Sequence, residues 1–100
     1  MLDKFQELIN SEQPVLIDFF ATWCGPCHAM APVLEQVKES VGDTARVVKI
    51  DVDKFGEIAQ QYQISSVPTF MIFKKGQTLW RHSGTAPASE LVRLLQQANA

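Results

Sequence analysis

A chain of 100 residues has room for one hydrophobic core, so we predict a single domain over residues 1–100. Its hydrophobic content of 46% and charged content of 20% are ordinary for a globular protein and argue against disorder. The net charge is -2, without any basic block or run of like charges. We therefore expect no binding to nucleic acid or to a membrane surface.

The location of the protein is predicted from its first residues and its cysteines. The N-terminus lacks the basic segment, apolar stretch and cleavage site of a secretory signal, and no apolar run approaches membrane-spanning length. We therefore expect a cytoplasmic protein, although an exported protein with its signal removed would look the same. The two cysteines enclose too short a loop to staple a fold, and in a reducing compartment such a pair is more often catalytic or metal-binding.

The first half of the chain alternates between helix and strand. Apolar residues at helical spacing predict a short helix over residues 2–9. The run over 15–20 is apolar except for Asp18, which predicts a strand covered on both faces. A longer helix is predicted over 24–40, with a kink at Pro32 because proline removes a helical hydrogen bond.

The second half of the chain completes a sheet. A valine-rich strand is predicted over 46–52, which forms a right-handed parallel βαβ unit with the first strand. A helix follows over 54–62, then a hairpin of strands over 69–73 and 78–82, and a last helix that begins at Pro87. The pattern predicts an α/β fold, a mixed sheet of four strands with helices on both faces.

The chemistry is predicted at Cys24 and Cys27. Only a thiolate attacks a disulfide, and the start of a helix favours negative charge, so Cys24 is the predicted nucleophile. Cys27 lies three residues on, within reach of a mixed disulfide on Cys24, and is the predicted resolving thiol. Because it lies deeper in the helix, we expect Cys27 to be the less exposed of the two.

Three other interpretations of this pair stay open at this point. Two cysteines are half of a zinc site, but four ligands are needed and His28 and His82 are the only histidines. Cys24, Cys27 and His28 also match the attachment signature of haem c. Finally, the two cysteines could be buried and inert, although glycine and proline between them indicate an exposed helix start.

Several motifs together resemble the thioredoxin family: Trp23-Cys24-Gly25-Pro26-Cys27, Pro32, Val67-Pro68-Thr69 and Gly84. The resemblance covers nearly the whole chain and implies a thioredoxin fold, with four strands, or five if a further strand precedes the first helix. It also implies a monomeric protein-disulfide reductase without a cofactor or metal of its own. Its implied partners are disulfide-containing protein substrates and an NADPH-dependent flavoprotein, thioredoxin reductase.

The resemblance also gives roles to two charged residues of the predicted strands. Asp18 would be a buried proton acceptor for Cys27, and Lys49 would be its partner. Burial should raise the pKa of this carboxyl. Each residue also has a simpler interpretation: Asp18 as a strand-end residue that reaches solvent, and Lys49 as an edge-strand lysine that points to water.

Substrate recognition is likewise implied by the resemblance. The Val67–Pro68 bond would be cis and face the cysteines, so that the backbone of Val67 pairs with an extended substrate. The implied substrate-binding residues are Trp23, Gly25, Pro26, Val67, Pro68 and Gly84. Otherwise, Trp23 would belong to the core, Pro68 to a rigid turn and Gly84 to a simple break before the last helix.

The chain departs from the family pattern at three places. It starts at the first helix, so the strand over 46–52 should be an uncovered sheet edge. Phe20 stands where tryptophan is common, which should change fluorescence more than chemistry, and His28 stands where lysine or arginine is usual. Two alternative functions stay open: an exported or partner-specific oxidant or reductant, and a non-catalytic binding module.

Overall fold

The computed structural model describes residues 2–100, and every predicted helix and strand is present. Their bounds differ from the predicted ones by at most two residues. The elements follow the chain as α1 (Leu2–Ile9), β1 (Val15–Phe20), α2 (Gly25–Val41), β2 (Arg46–Asp51), α3 (Gly56–Gln61), β3 (Thr69–Lys74), β4 (Gln77–Ser83) and α4 (Ala88–Asn99).

The strands form one mixed sheet in the order β2-β1-β3-β4. β1 pairs in parallel with β2, whereas the β1–β3 and β3–β4 pairs are antiparallel. β1 lies at the centre because its side chains are apolar on both faces, and α2 makes the crossover that a parallel neighbour requires. The predicted α/β architecture is therefore confirmed.

The alternation of side chains along β1 divides the core into two layers. Leu16 packs with residues of α2 and α4 on one face of the sheet. Ile17 and Phe19 pack with residues of α1 and α3 on the other face. Asp18, two positions after Leu16, therefore lies on the face that α2 covers.

β2 forms one edge of the sheet, as predicted, and within residues 2–100 no strand lies on its outer side. Arg46 donates its backbone N–H to the carbonyl oxygen of Pro14 on the inner side, at 2.9 Å. Because successive N–H groups of a strand alternate in direction, those of Val47 and Lys49 face outward. The sheet has four strands in the described part of the chain, not five.

Two features of the helices complete the fold. Pro32 lies inside α2, and the helix continues past it to Val41; the kink at Pro32 stays a prediction. In the described part of the chain, no helix combines the length and apolar character that crossing a membrane would need.

Candidate active site

Cys24 and Cys27 form a disulfide at the start of α2, with their Cα atoms 5.3 Å apart. Cys24 is the N-cap residue, and its Sγ accepts the backbone N–H of Cys27 at 3.1 Å. The first N–H groups of a helix have no intrahelical acceptor, so this position stabilises negative charge on sulfur. The geometry therefore favours a thiolate at Cys24 in the reduced protein.

The two cysteines are equally covered, since each is 4% exposed. The expectation that Cys27 is the less exposed is therefore wrong for the disulfide form. The reason is that the side chain of Cys24 turns inward and packs with Ala21, Cys27 and the neighbouring Val67. Only the position of each sulfur relative to the helix start distinguishes the two cysteines.

Trp23 lies on the surface beside the disulfide, and 71% of it is exposed. The interpretation of Trp23 as a core residue is therefore wrong. Its indole N–H donates to Oδ2 of Asp53 at 2.9 Å, and Asp53 is itself held by a backbone N–H bond to Oδ1 of Asp51. The two loops meet because the carboxyl ends of the parallel strands β1 and β2 lie at the same edge of the sheet. Asp53 was not among the residues predicted from the sequence, although its position just after a strand parallel to β1 indicates that it lies near Trp23.

His28 ties the first turn of α2 to the loop before it. Nε2 of His28 lies 2.8 Å from the carbonyl oxygen of Thr22. A carbonyl only accepts, so the ring must donate from Nε2, which leaves Nδ1 unprotonated in the neutral imidazole. His28 thus fixes the residue before Trp23, and no pattern in the sequence indicates this contact.

The loop that contains Pro68 lies against the disulfide. The Val67–Pro68 peptide bond is cis, as predicted. Val67 packs against the cluster that contains both cysteines. Its backbone N–H and C=O take no part in the hydrogen bonds found among the described residues. An extended peptide could therefore pair with the backbone of Val67 beside the sulfurs, as peptides do when they add a strand to a protein.

Gly84 is joined directly to this loop. Its backbone N–H donates to the carbonyl oxygen of Pro68 at 2.8 Å. Its φ of +99° is a conformation that residues with a side chain rarely adopt. Gly84 therefore ends β4 in a turn that places it next to the Pro68 loop, and it is more than a simple break before α4.

Replacing Gly84 with alanine should lower the free energy of unfolding by about 1–2 kcal/mol because of this positive φ. The cost is conformational, since a Cβ here would meet nothing within 4 Å in the described chain. Gly56→Ala is the matched control, because Gly56 has equally open surroundings without a positive φ. Urea denaturation measures both; an equal loss in the two variants would contradict the explanation.

Asp18 is buried beneath α2, with 1% exposure, so its interpretation as a solvent-reaching residue is wrong. Neither carboxyl oxygen has a hydrogen-bond partner within residues 2–100. Burial raises the pKa of this carboxyl to about 6, and the nearby charge of Lys49 opposes the rise. A buried carboxyl that titrates close to neutral pH can take up or release a proton under working conditions.

Lys49 combines both of its predicted interpretations. It stands opposite Asp18 in the parallel register of β1 and β2, yet it is exposed on the sheet edge. No ion pair joins it to Asp18 in the part of the chain that the structure describes. Its ammonium instead lies 4.5 Å from the ring centroid of Phe20. Lys49 therefore acts on Asp18 through its charge and not through a direct bond.

The zinc interpretation finds no further ligands. Among residues 2–100, no group of three or more histidine, cysteine and acidic side chains could hold a metal ion. Cys24 and Cys27 are bonded to each other, and the ring of His28 is engaged by Thr22. The arrangement instead suits reversible opening and closing of the disulfide.

The family model described as Thioredoxin matches residues 1–97. The chain belongs to the thioredoxin family. This family consists of thiol–disulfide oxidoreductases, and the Cys24–Cys27 disulfide occupies the place of its redox-active pair. Membership of this family explains why the motifs predicted from the sequence occur together in one chain.

Curated relatives extend the match. The chain is 50% identical over 96 residues to thioredoxin Y, chloroplastic, from Oryza sativa; the match covers 95% of this chain and 57% of the rice protein. It is 53% identical over 94 residues to a thioredoxin-like protein of Synechocystis sp., covering 93% of this chain and 90% of that protein. The chain thus spans little more than half of the first relative and most of the second.

Solved thioredoxin structures have the same fold. The thioredoxin of Malassezia sympodialis is 39% identical with a TM-score of 0.87, covering 98% of this chain and 85% of that one. Oxidised mitochondrial thioredoxin 3 of Saccharomyces cerevisiae is 35% identical with a TM-score of 0.85, covering 96% and 89%. The thioredoxin fold predicted from the motifs is therefore confirmed.

Proposed function

We propose that this thioredoxin-family chain reduces disulfides in protein substrates through reversible opening of its Cys24–Cys27 disulfide. The observation that carries the proposal is the placement of this disulfide: Cys24 caps α2, and the free backbone of Val67 lies beside it. Cys24 supplies the nucleophile, and the backbone of Val67 supplies a docking position for the substrate disulfide that Cys24 attacks.

The reaction has two thiol–disulfide exchanges. In the reduced protein, the Cys24 thiolate attacks one sulfur of a substrate disulfide; that bond breaks, and the departing substrate sulfur takes up a proton. Cys27 then gives its proton to Asp18 through water and attacks Sγ of Cys24. The mixed disulfide breaks, the second substrate sulfur leaves and is protonated, and the Cys24–Cys27 bond forms. Two electrons pass from the protein dithiol to the substrate disulfide.

The assignment of roles follows from position. Cys24 is the nucleophile because its sulfur faces the N–H groups at the helix start. Cys27 resolves because it lies within the first turn of α2, where its sulfur reaches that of Cys24. Asp18 is suited to accept its proton because burial raises the pKa of this carboxyl to about 6.

Substrate docking uses the surface around the disulfide. We assign backbone pairing to Val67 and contact with the apolar surface to Trp23, whose ring is held by Asp53. The remaining docking residues are Gly25, Pro26, Pro68 and Gly84. Recognition of backbone groups does not depend on substrate sequence, which suits a general reductase.

We further propose that the oxidised form is re-reduced by an NADPH-dependent flavoprotein, thioredoxin reductase, and that the chain acts as a monomer. A reversible cysteine pair of this kind suits a reducing compartment, and we keep the cytoplasm as the proposed one. The rice relative is named as chloroplastic, which makes a plastid the alternative to test by fractionation.

The deciding experiment equilibrates the full chain with reduced and oxidised glutathione and measures insulin-disulfide reduction in parallel. We expect a reduction potential near the value of about -270 mV that is general for thioredoxin, together with turnover of insulin. An oxidising potential without insulin reduction would favour the exported or partner-specific oxidant. A reducing potential without turnover on any disulfide protein would favour the non-catalytic binding module.

A further inference from the structure

Phe20, the last residue of β1, contacts the ammonium of Lys49. Nζ lies 4.5 Å from the centroid of the ring, which is the geometry of a cation–π contact. Phe20 and Asp18 are two positions apart and therefore lie on the same face of β1. Lys49 stands opposite Asp18 on β2. The Lys49 ammonium thus lies against an aromatic ring on the face of the sheet that also carries a buried carboxyl.

Lys49 has no other fixed position near Asp18. It is an exposed side chain on an edge strand, and a lysine stem is flexible enough to carry its charge into solvent. Among the described residues, no salt bridge fixes its ammonium. The face of the Phe20 ring is therefore the contact that keeps this charge close to β1.

Other charged groups near Lys49 are already engaged. From α2, Glu35 and Lys38 line a cavity of about 50 Å³ together with Lys49, and these two pair with each other at 3.6 Å. On β2, Asp51 lies opposite Phe20, and its Oδ1 accepts backbone N–H groups of the following turn. Within residues 2–100, neither carboxylate forms an ion pair with Lys49.

We propose that Phe20 is a positioning residue that holds the Lys49 ammonium where its charge acts on Asp18. The proposal deepens the proposed function and rests on it, since Asp18 is there the acceptor of the Cys27 proton. Burial raises the pKa of Asp18 and the Lys49 charge lowers it. The Phe20 ring thus determines how far the Lys49 charge offsets the rise in the pKa of Asp18 that burial causes.

The test is an NMR titration of the Asp18 carboxyl carbon in the oxidised protein. The cysteine sulfurs carry no titrating proton in this form, so Asp18 titrates without coupling to a thiol. Lys49→Met should raise the midpoint most, because it removes the charge and keeps the stem. Phe20→Leu should raise it by about half a pH unit, since the ammonium is then free to leave. Phe20→Trp should keep the midpoint at or below the wild-type value, because tryptophan binds cations more strongly.

The double variant Phe20→Leu/Lys49→Met separates the ring's electrostatic role from its part in burying Asp18. We expect its midpoint to equal that of Lys49→Met alone. A lower midpoint in the double variant would mean that Phe20 acts through burial, because the smaller leucine leaves Asp18 better hydrated. An unchanged midpoint in Phe20→Leu would mean that it has no role; either result overturns the proposal. The titration needs no substrate, so its outcome is independent of the insulin assay that tests the proposed function.

Discussion

Replacing Cys27 with serine should abolish turnover on disulfide substrates and leave the substrate covalently attached to Cys24. Cys24 can still attack, but no second thiol is present to break the mixed disulfide. The adduct should survive non-reducing electrophoresis and disappear on addition of dithiothreitol. Mass spectrometry of a proteolytic digest should place the substrate peptide on Cys24.

The matched control is Cys24→Ser, which removes the thiol at the helix start and keeps the thiol of Cys27. We expect no trapped substrate, since the remaining Cys27 sulfur lacks the position that stabilises a thiolate. If substrate were trapped on Cys27 in Cys24→Ser and not on Cys24 in Cys27→Ser, the assigned roles of the two cysteines would be reversed. Because the cysteines are equally covered in the disulfide form, this pair of variants decides a question that exposure does not.

Replacing Asp18 with alanine should stabilise the protein relative to wild type, and this advantage should be larger at neutral and alkaline pH than in acid by about 3 kcal/mol. The pKa of Asp18 rises from 3.8 to about 6 on folding, a difference worth about 1.4 kcal/mol per unit. A raised folded pKa means that the wild type keeps its full stability below pH 3.8 and loses part of it as the pH rises through 6. The advantage of the variant should therefore be small in acid and grow up to about pH 7.

Urea denaturation of the oxidised proteins at several pH values measures this effect. Asp18→Asn is the matched control, since it nearly preserves the volume of the side chain and does not titrate. Its stability relative to wild type should rise over the same pH interval as that of Asp18→Ala. A difference that stays constant with pH would mean that the carboxyl is not strained by burial. Both variants should also slow disulfide reduction, because Cys27 then loses its proton acceptor.

The sequence predicted those features that depend on local pattern. An apolar run with one carboxyl was enough to predict β1 as a strand covered on both faces, and the family resemblance favoured the buried interpretation of Asp18. The motif residues around Pro68 and Gly84 predicted the cis bond and the neighbouring loop through the family resemblance. The order of helices and strands likewise followed from periodicity.

The features that the sequence did not predict depend on where side chains point. The bond from Trp23 to Asp53 joins two loops that are 30 positions apart in the chain, and no periodicity relates them. The ammonium of Lys49 lies over Phe20 and not on Asp18. Because the lysine stem is flexible, the sequence does not reveal which group the ammonium contacts. The equal burial of Cys24 and Cys27 similarly depends on the inward turn of the N-cap side chain, which spacing does not reveal.

Lys49 also lies on the outer edge of β2, which no other strand covers within residues 2–100. Its backbone N–H faces away from the sheet, and such edges invite pairing with other chains unless charged side chains discourage it. A charged side chain on an edge strand disfavours such pairing, and the same charge lowers the pKa of Asp18. A neutral replacement of Lys49 would therefore change both the charge on this edge strand and the proton affinity of Asp18.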